Sequence, residues 1–416
     1  MPLVARIDTP VLRSGLVFAA ALLAACAPAA PTQLEIFSSW TTGPEAVGLE
    51  KLGELFQTDH PDLVVVNAAL GGDETLRDRM LAGAPPDGFQ AQMGEGFNSS
   101  WVASGAMEPL DDVYETYGFS DAFHPGILEL VSYEEQPYSV PVNIHRANVL
   151  WYNKAVFEAN GINPASLSTF EGWWAAAETL RGAGVTPLAL GDKTPWAAAH
   201  LFETVLIGTL GAEAYTGLWT GDTDWNGPEV SRALENFALL LSYANPDHAT
   251  LTWDQANQLV LEGKAAMTIM GDWIHSDYVA KGFSGYGWAP PPGNAGIFDA
   301  LSDSFGLPEN SPHPQLMKEF LGVLGSREGQ ETFNRLAGSL CARTDCNYSD
   351  FDAYLQSSAA ALKTAAIVPS LVHGAAASEG WTNPVVDTVA AFVTSGDITA
   401  AQAGLARACV AAGVCH

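Results

Sequence analysis

Four polar side chains interrupt a stretch that otherwise has the makings of a buried strand: Asn143, His145, Arg146 and Asn148, within Pro141-Val142-Asn143-Ile144-His145-Arg146-Ala147-Asn148-Val149-Leu150-Trp151-Tyr152-Asn153. Prolines keep the first half extended, and apolar residues resume through Val149 and Trp151. Such groups are costly to bury without partners, so they either satisfy one another or serve a binding site. A second place with chemistry is Gly271-Asp272-Trp273, directly after the apolar run 265–270. There a glycine lets backbone approach closely, an acid caps or accepts, and an indole offers a flat apolar face. Neither place holds a nucleophile elbow, a zinc-protease helix or a phosphate loop.

The rest of the chain must position these groups. Leu34 to Ser39 alternates as a strand, and Pro44 opens a helix with Val47, Leu49, Leu52, Leu55 and Phe56 at helical spacing. Between them lies Trp40-Thr41-Thr42-Gly43-Pro44-Glu45, a loop at a helix N-terminus, where open α/β sheets present ligand-binding groups. Strands are expected at 63–69, 89–92, 186–190, 265–270 and 300–307, with helices between them. Asp73 or Glu74 is expected to support the helix that follows Thr75. Trp196 falls in a loop before a helix over 201–210.

At 416 residues the chain is long enough for two or three units of about 100–200 residues each. A net charge of −29, with 47 acidic against 18 basic residues, argues against nucleic acid or an anionic membrane surface as partner. Charged residues make up 16% and apolar residues 48%, so the acidity is not that of a disordered tail. Arg6 and Arg13, the apolar stretch 16–23 and Leu23-Ala24-Ala25-Cys26 have the form of a lipoprotein signal, with Cys26 lipidated and 27–33 a tether. Removing Cys26 from the 5 cysteines leaves Cys341, Cys346, Cys409 and Cys415, an even set suited to an oxidising compartment. Sequence leaves all their pairings open, and their spacing fits no zinc pattern. No metal and no cofactor is expected.

The hairpin end Tyr138-Ser139-Val140-Pro141-Val142, the Asn-Ile-His-Arg that follows, the Trp-Tyr-Asn strand end, and Pro369-Ser370 with His373-Gly374 together resemble the family 1 extracytoplasmic solute-binding proteins, in their glucose/mannose-binding branch. These are sugar receptors of ABC importers, and the resemblance runs from Leu34 to the last helix. It implies an α/β, two-lobed periplasmic-binding-protein fold of type II kind. The lobes would comprise 34–142 with 304–348 and 143–303 with 349–416, crossing near 141–145 and 302–305. It further implies Trp40 and Trp273 as stacking faces for a pyranose ring, Glu45, Gln90, Gln92, His145, Asp303 and His373 as hydrogen-bonding groups, and Trp196 at the cleft mouth. The protein would then be no enzyme but an extracytoplasmic, lipid-anchored monomer that passes a glucose-type monosaccharide to ABC permease subunits. The chain departs from the family at Ser39, Gln92 and Ala337, where relatives show Trp, Lys or His, and Lys; Arg335 or Arg343 is the candidate for the missing cation. The competing readings are an exported glycan hydrolase with Asp303 and Glu45 as its two carboxylates, and a lipoprotein that reports sugar to a sensor.

Overall fold

The computed structural model describes residues 32–70 and 75–415. Leu34 and Ile36 are completely buried in the strand Thr32–Phe37, as alternation predicts. This strand pairs in parallel with Leu63–Asn67 on one side and Gly88–Gln92 on the other. The strands Asp303–Gly306 and Ser139–Pro141 complete a 5-stranded sheet in antiparallel sense, with Asp303 opposite Gln92 and Ser304 opposite Pro141. A second sheet has 4 strands in the order Tyr286–Ala289, Val149–Asn153, Ala265–Met270, Thr186–Leu188. Helices flank both, giving the two lobes of the expected α/β architecture.

The polar stretch that drew attention in the sequence is where the chain changes sheet. What reads as one extended run is three short pieces: Ser139–Pro141 in the first sheet, His145–Arg146 in a separate 3-stranded sheet, and Val149–Asn153 in the second. The expected strand over 300–307 divides in the same way. Ile297–Leu301 pairs with His145–Arg146, Ser302 intervenes, and Asp303–Gly306 enters the first sheet. Asn143 and Ser302 are completely buried at these two breaks, so their polar groups need internal partners rather than water.

Two large apolar cores result among the described residues, beside smaller clusters around Phe89 and Val260. One lies around the second sheet, with Trp173, Phe202, Tyr215, Phe237 and Phe392. The other starts under the first sheet at Leu34, Leu52 and Phe56 and continues through Phe298 to Trp151, Ile274, Tyr278 and Tyr354. Burial of each such Phe contributes about 1.5–3 kcal/mol, and the second core carries this packing past the crossing segments. Helices Pro314–Gly325 and Arg327–Ala337 pack on the helix Gly43–Asp59.

Several local expectations are corrected. Trp196 is not in a loop but begins the helix Trp196–Leu210. The first strand takes in Thr32 and Gln33, which the sequence placed in a tether. Asp73 and Glu74 lie outside the described residues, and the helix Leu76–Leu81 is capped by Thr75 and Asp78 in a reciprocal box. The signal segment and Cys26 also lie outside the described residues. Disulfides join Cys341 to Cys346 and Cys409 to Cys415. Among the described residues no helix is long and apolar enough to cross a membrane.

Candidate functional site

The two crossings are fastened to each other by Asn143 and Asp303. The Asn143 amide oxygen accepts the Asp303 backbone N–H at 2.7 Å, and its Nδ2 donates to Asp303 Oδ2 at 2.8 Å. Oδ1 of Asp303 accepts from Gln90 Nε2 at 2.8 Å. Gln90 Oε1 in turn takes the Ser38 hydroxyl at 2.7 Å and the Ser39 N–H at 3.0 Å, reaching the end of the first strand. On the far side, His145 Nδ1 lies 2.6 Å from Asp272 Oδ1, while Asp272 Oδ2 accepts the Arg146 N–H at 2.9 Å. Side chains from the first sheet, both crossings and the end of the second sheet thus form one polar chain, Gln90 to Asp303 to Asn143 to His145 to Asp272.

His145 is the cation of this chain. Burial opposes its charge, but Asp272, by charge and hydrogen bond, and then Asp303 and Glu45 outweigh it and raise the imidazole to about 9. Asn143 Nδ2 approaches Nε2 at 3.3 Å, and both are donors when the ring is charged. The Nε2–H therefore keeps its donor for another acceptor. Neither arginine named as the replacement cation takes that part. Arg343 donates to Asp345 at 2.8 Å and to the Gly325 carbonyl at 3.0 Å. Arg335 is exposed and lies over Phe351.

Beside His145 stands an aromatic wall. The Trp273 ring lies 6.4 Å from His145, 6.1 Å from Trp196, 5.3 Å from His373 and 5.7 Å from His200. Trp273 and Trp196 each begin a helix and stay partly exposed. Gly271 is required here for a reason the sequence did not suggest. A Cβ on it would meet Trp273 Cζ3 at 2.1 Å, so the glycine makes room for the indole to fold back over its own strand end. Asp272 does not cap the helix by its side chain; it holds His145.

His373 is presented by the turn after the strand Ala366–Pro369, with its Nδ1 2.8 Å from the Ser370 hydroxyl. Burial among these rings, then the nearness of His200 and His145, keeps its pKa well below the ordinary value. His200 is completely buried, with Nε2 3.2 Å from the Ala147 carbonyl, and burial pushes it down to about 4. One charged and two neutral imidazoles therefore stand together, offering both donors and acceptors.

Of the residues named from the sequence, Gln90, His145, Asp303, Trp273, Trp196 and His373 belong to this connected set. Glu45 is partly exposed and near enough to act on the charge of His145. Trp40 packs on Phe333 at 5.0 Å and edge-on to Phe305 at 5.6 Å. It also borders a hollow of about 650 Å³ between the helix Gly43–Asp59 and the strand Leu63–Asn67, whose lining includes neither His145 nor Trp273. We place the site at the crossings, where the polar and aromatic groups converge, rather than in that hollow. Gln92 is exposed and lines a hollow of about 210 Å³ with Trp101, Gly374 and Glu379. The sequence reading missed His200 and Glu203. A histidine and a glutamate three positions apart in an otherwise apolar helical run were the available signal.

Two α/β lobes with polar crossings and an aromatic wall between them define a binding protein. Residues 41–331 match the family of bacterial extracellular solute-binding proteins, and this chain belongs to that family. It is 36% identical over 387 residues to an uncharacterized ABC transporter extracellular-binding protein of Pyrococcus horikoshii, covering 90% of this chain and 87% of that one. It is 30% identical over 359 residues to the xylose/arabinose-binding protein XacG of Haloferax volcanii, covering 83% of this chain and 77% of that one. The solved structure of the bacterial solute receptor AcbH, described as preferring β-D-galactopyranose, superposes with a TM-score of 0.79 at 18% identity, over 91% of this chain and 97% of that one. That likeness concerns the fold.

Proposed function

We propose that this protein is the extracytoplasmic, lipid-anchored sugar receptor of an ABC importer, binding a glucose-type monosaccharide between its lobes and presenting the closed form to the permease. The observation that carries the reading is the meeting, beside His145, of the hydrogen-bonded side chains Gln90, Asp303 and Asn143, rooted in the first sheet and the crossings, and an aromatic wall rooted in the second sheet. Polar groups in such a chain suit hydroxyls, and indole faces suit the C–H bonds of a pyranose. The lobes are 34–142 with 304–348 and 143–303 with 349–416, and Cys26 carries the lipid. Relatives described as ABC transporter, xylose/arabinose-binding and, at 24% identity, glucose-binding proteins support the class.

Binding favours closure because only the closed arrangement brings both walls against the ligand. Trp40, Glu45 and Gln92 serve the first-lobe wall. Calorimetry on the chain lacking residues 1–26, against aldohexoses, pentoses and disaccharides, tests this. A glucose-type hexose should bind and raise the melting temperature. No response to any sugar would remove the proposal.

A further inference from the structure

The turn that carries His373 is held on two sides. Behind it, Glu203 is completely buried in the helix Trp196–Leu210, an expensive place for a carboxylate. Its oxygens accept the backbone N–H groups of Leu371 and Val372 and, at 3.0 Å, the hydroxyl of Tyr215. Within the turn, Gly374 and Ala375 donate their N–H groups to the Leu371 and Ser370 carbonyls at 2.9 and 2.8 Å. The turn is thereby fixed to its own lobe.

In front, it meets the segment that follows the strand Gly88–Gln92. The Glu95 N–H donates to the Ala375 carbonyl at 3.1 Å, and the Gly96 N–H donates to the Gly374 carbonyl at 2.8 Å. Both donors begin the helical turn Glu95–Phe97, so they have no partner inside it. These bonds span the division between the lobes proposed above, and Gly96 and Gly374 both line the hollow that holds Gln92 and Trp101.

Two backbones come this close only where side chains are missing. A Cβ on Gly94 would stand 2.4 Å from the Ala375 carbonyl oxygen, and one on Gly96 would stand 2.9 Å from that of Gly374. Gly94 has a φ of 102°, so its own backbone also calls for glycine. Gly96 differs. It sits in a helical turn, where alanine is the better residue, and the three atoms nearest to its added methyl all belong to Gly374. The demand for glycine at 96 therefore comes from the other lobe.

We propose that the main chain at Gly94–Gly96 and the main chain at Gly374–Ala375 form a latch between the lobes, with Gly96 setting how closely the first-lobe wall approaches His373. The latch serves the sugar site proposed above and rests on that reading for its ligand. Its bonds are made by backbone, so they favour closure whichever hydroxyls the ligand presents, while side chains do the selecting. In Gly96→Ala the turn cannot retreat from the methyl, because Glu203 holds it, and the lobes must part. The closed fraction falls and apparent affinity falls with it, although residue 96 makes no contact with ligand.

The test is amide hydrogen exchange on the chain lacking residues 1–26, unmodified and as Gly96→Ala. Gly182→Ala serves as control, since its added methyl meets nothing within 4 Å. Without sugar, the amides at 95 and 96 should exchange about tenfold faster in Gly96→Ala than in the unmodified and control proteins. Asn98, whose N–H is bonded to the Gly94 carbonyl at 3.0 Å, and Leu371 and Val372 should keep their protection. Equal exchange at Glu95 in all three proteins overturns the proposal, and so does a loss of protection that spreads to Asn98, Leu371 and Val372. If Gly96→Ala fails to fold, the unmodified chain decides, and Glu95 and Gly96 amides that exchange as in an unstructured chain overturn it. With D-glucose as probe, these two amides should slow further in the unmodified protein, and Gly96→Ala should bind about tenfold more weakly. Equal D-glucose affinity in the two proteins would overturn the latch, whereas failure of every sugar to bind would sink the receptor reading and leave the sugar-free exchange result standing.

Discussion

His145 Nδ1 lies 2.6 Å from Asp272 Oδ1, and this contact joins the first crossing to the end of a strand in the second lobe, 127 residues further along the chain. Asp272 is completely buried and His145 nearly so, at 8% exposure. Removing one partner leaves the other charge uncompensated in a dry place, which makes the pair sensitive to mutation at either end.

The pair gives stability a definite pH dependence. The folded pKa of His145, about 9, lies above its unfolded value of 6.5, so its contribution is complete below about 6.5 and is lost as pH rises through about 9. The shift corresponds to about 3 kcal/mol at most. Denaturant titrations between these limits should show stability falling with pH, and Asp272→Asn should flatten the slope. A slope identical in the two proteins contradicts the assignment of charge to His145.

Trp273→Ala should lower sugar affinity by at least tenfold, about 1.4 kcal/mol, while leaving the far-ultraviolet spectrum unchanged. The indole is partly exposed and begins its helix rather than filling a core. Unchanged affinity refutes its role as a stacking face.

Gly271→Ala tests the same wall from behind. The added methyl would sit 2.1 Å from Trp273 Cζ3, so the ring must swing away. The expected result is a Trp273→Ala-like loss of sugar binding with the indole retained, read alongside a shifted tryptophan emission. Wild-type binding would show that the ring position is not critical.

Gln90→Ala removes the donor to Asp303 Oδ1 and the acceptor for Ser38 and Ser39 together. Stability should fall by about 1–3 kcal/mol for the partners left unmade, and sugar affinity should fall with it. A loss of stability with affinity intact would confine Gln90 to a structural role.

Cys409 and Cys415 close a short loop at the end of the helix Ile398–Ala411. Replacing both by serine should cost about 2 kcal/mol by the loop-closure argument, without altering sugar affinity, because the site lies at the crossings. A change in affinity would reveal coupling between that helix and the groove.

The sequence by itself determined the local elements and several of the site's residue types. Alternation located Leu34 and Ile36 inside a strand, and the polar break at 143–148 marked a place where burial demands partners. It also singled out Trp273 as a candidate, from its place after a glycine and an acid at a strand end, whereas Asp303 and His373 were named through the resemblance to the receptor family. Tertiary structure alone decided how those residues connect. The run over 141–153 and the expected strand over 300–307 each had to be divided between sheets before Asn143 could face Asp303, 160 positions away. The charge on His145 comes from acids at 45, 272 and 303, and the buried demand of Glu203 is met by a turn 168 positions later. Electrostatics and hydrogen bonding depend on distance in space, which residue order does not contain. The same holds for Trp196, whose ring neighbours Trp273 and His373 stand 77 and 177 positions further along the chain.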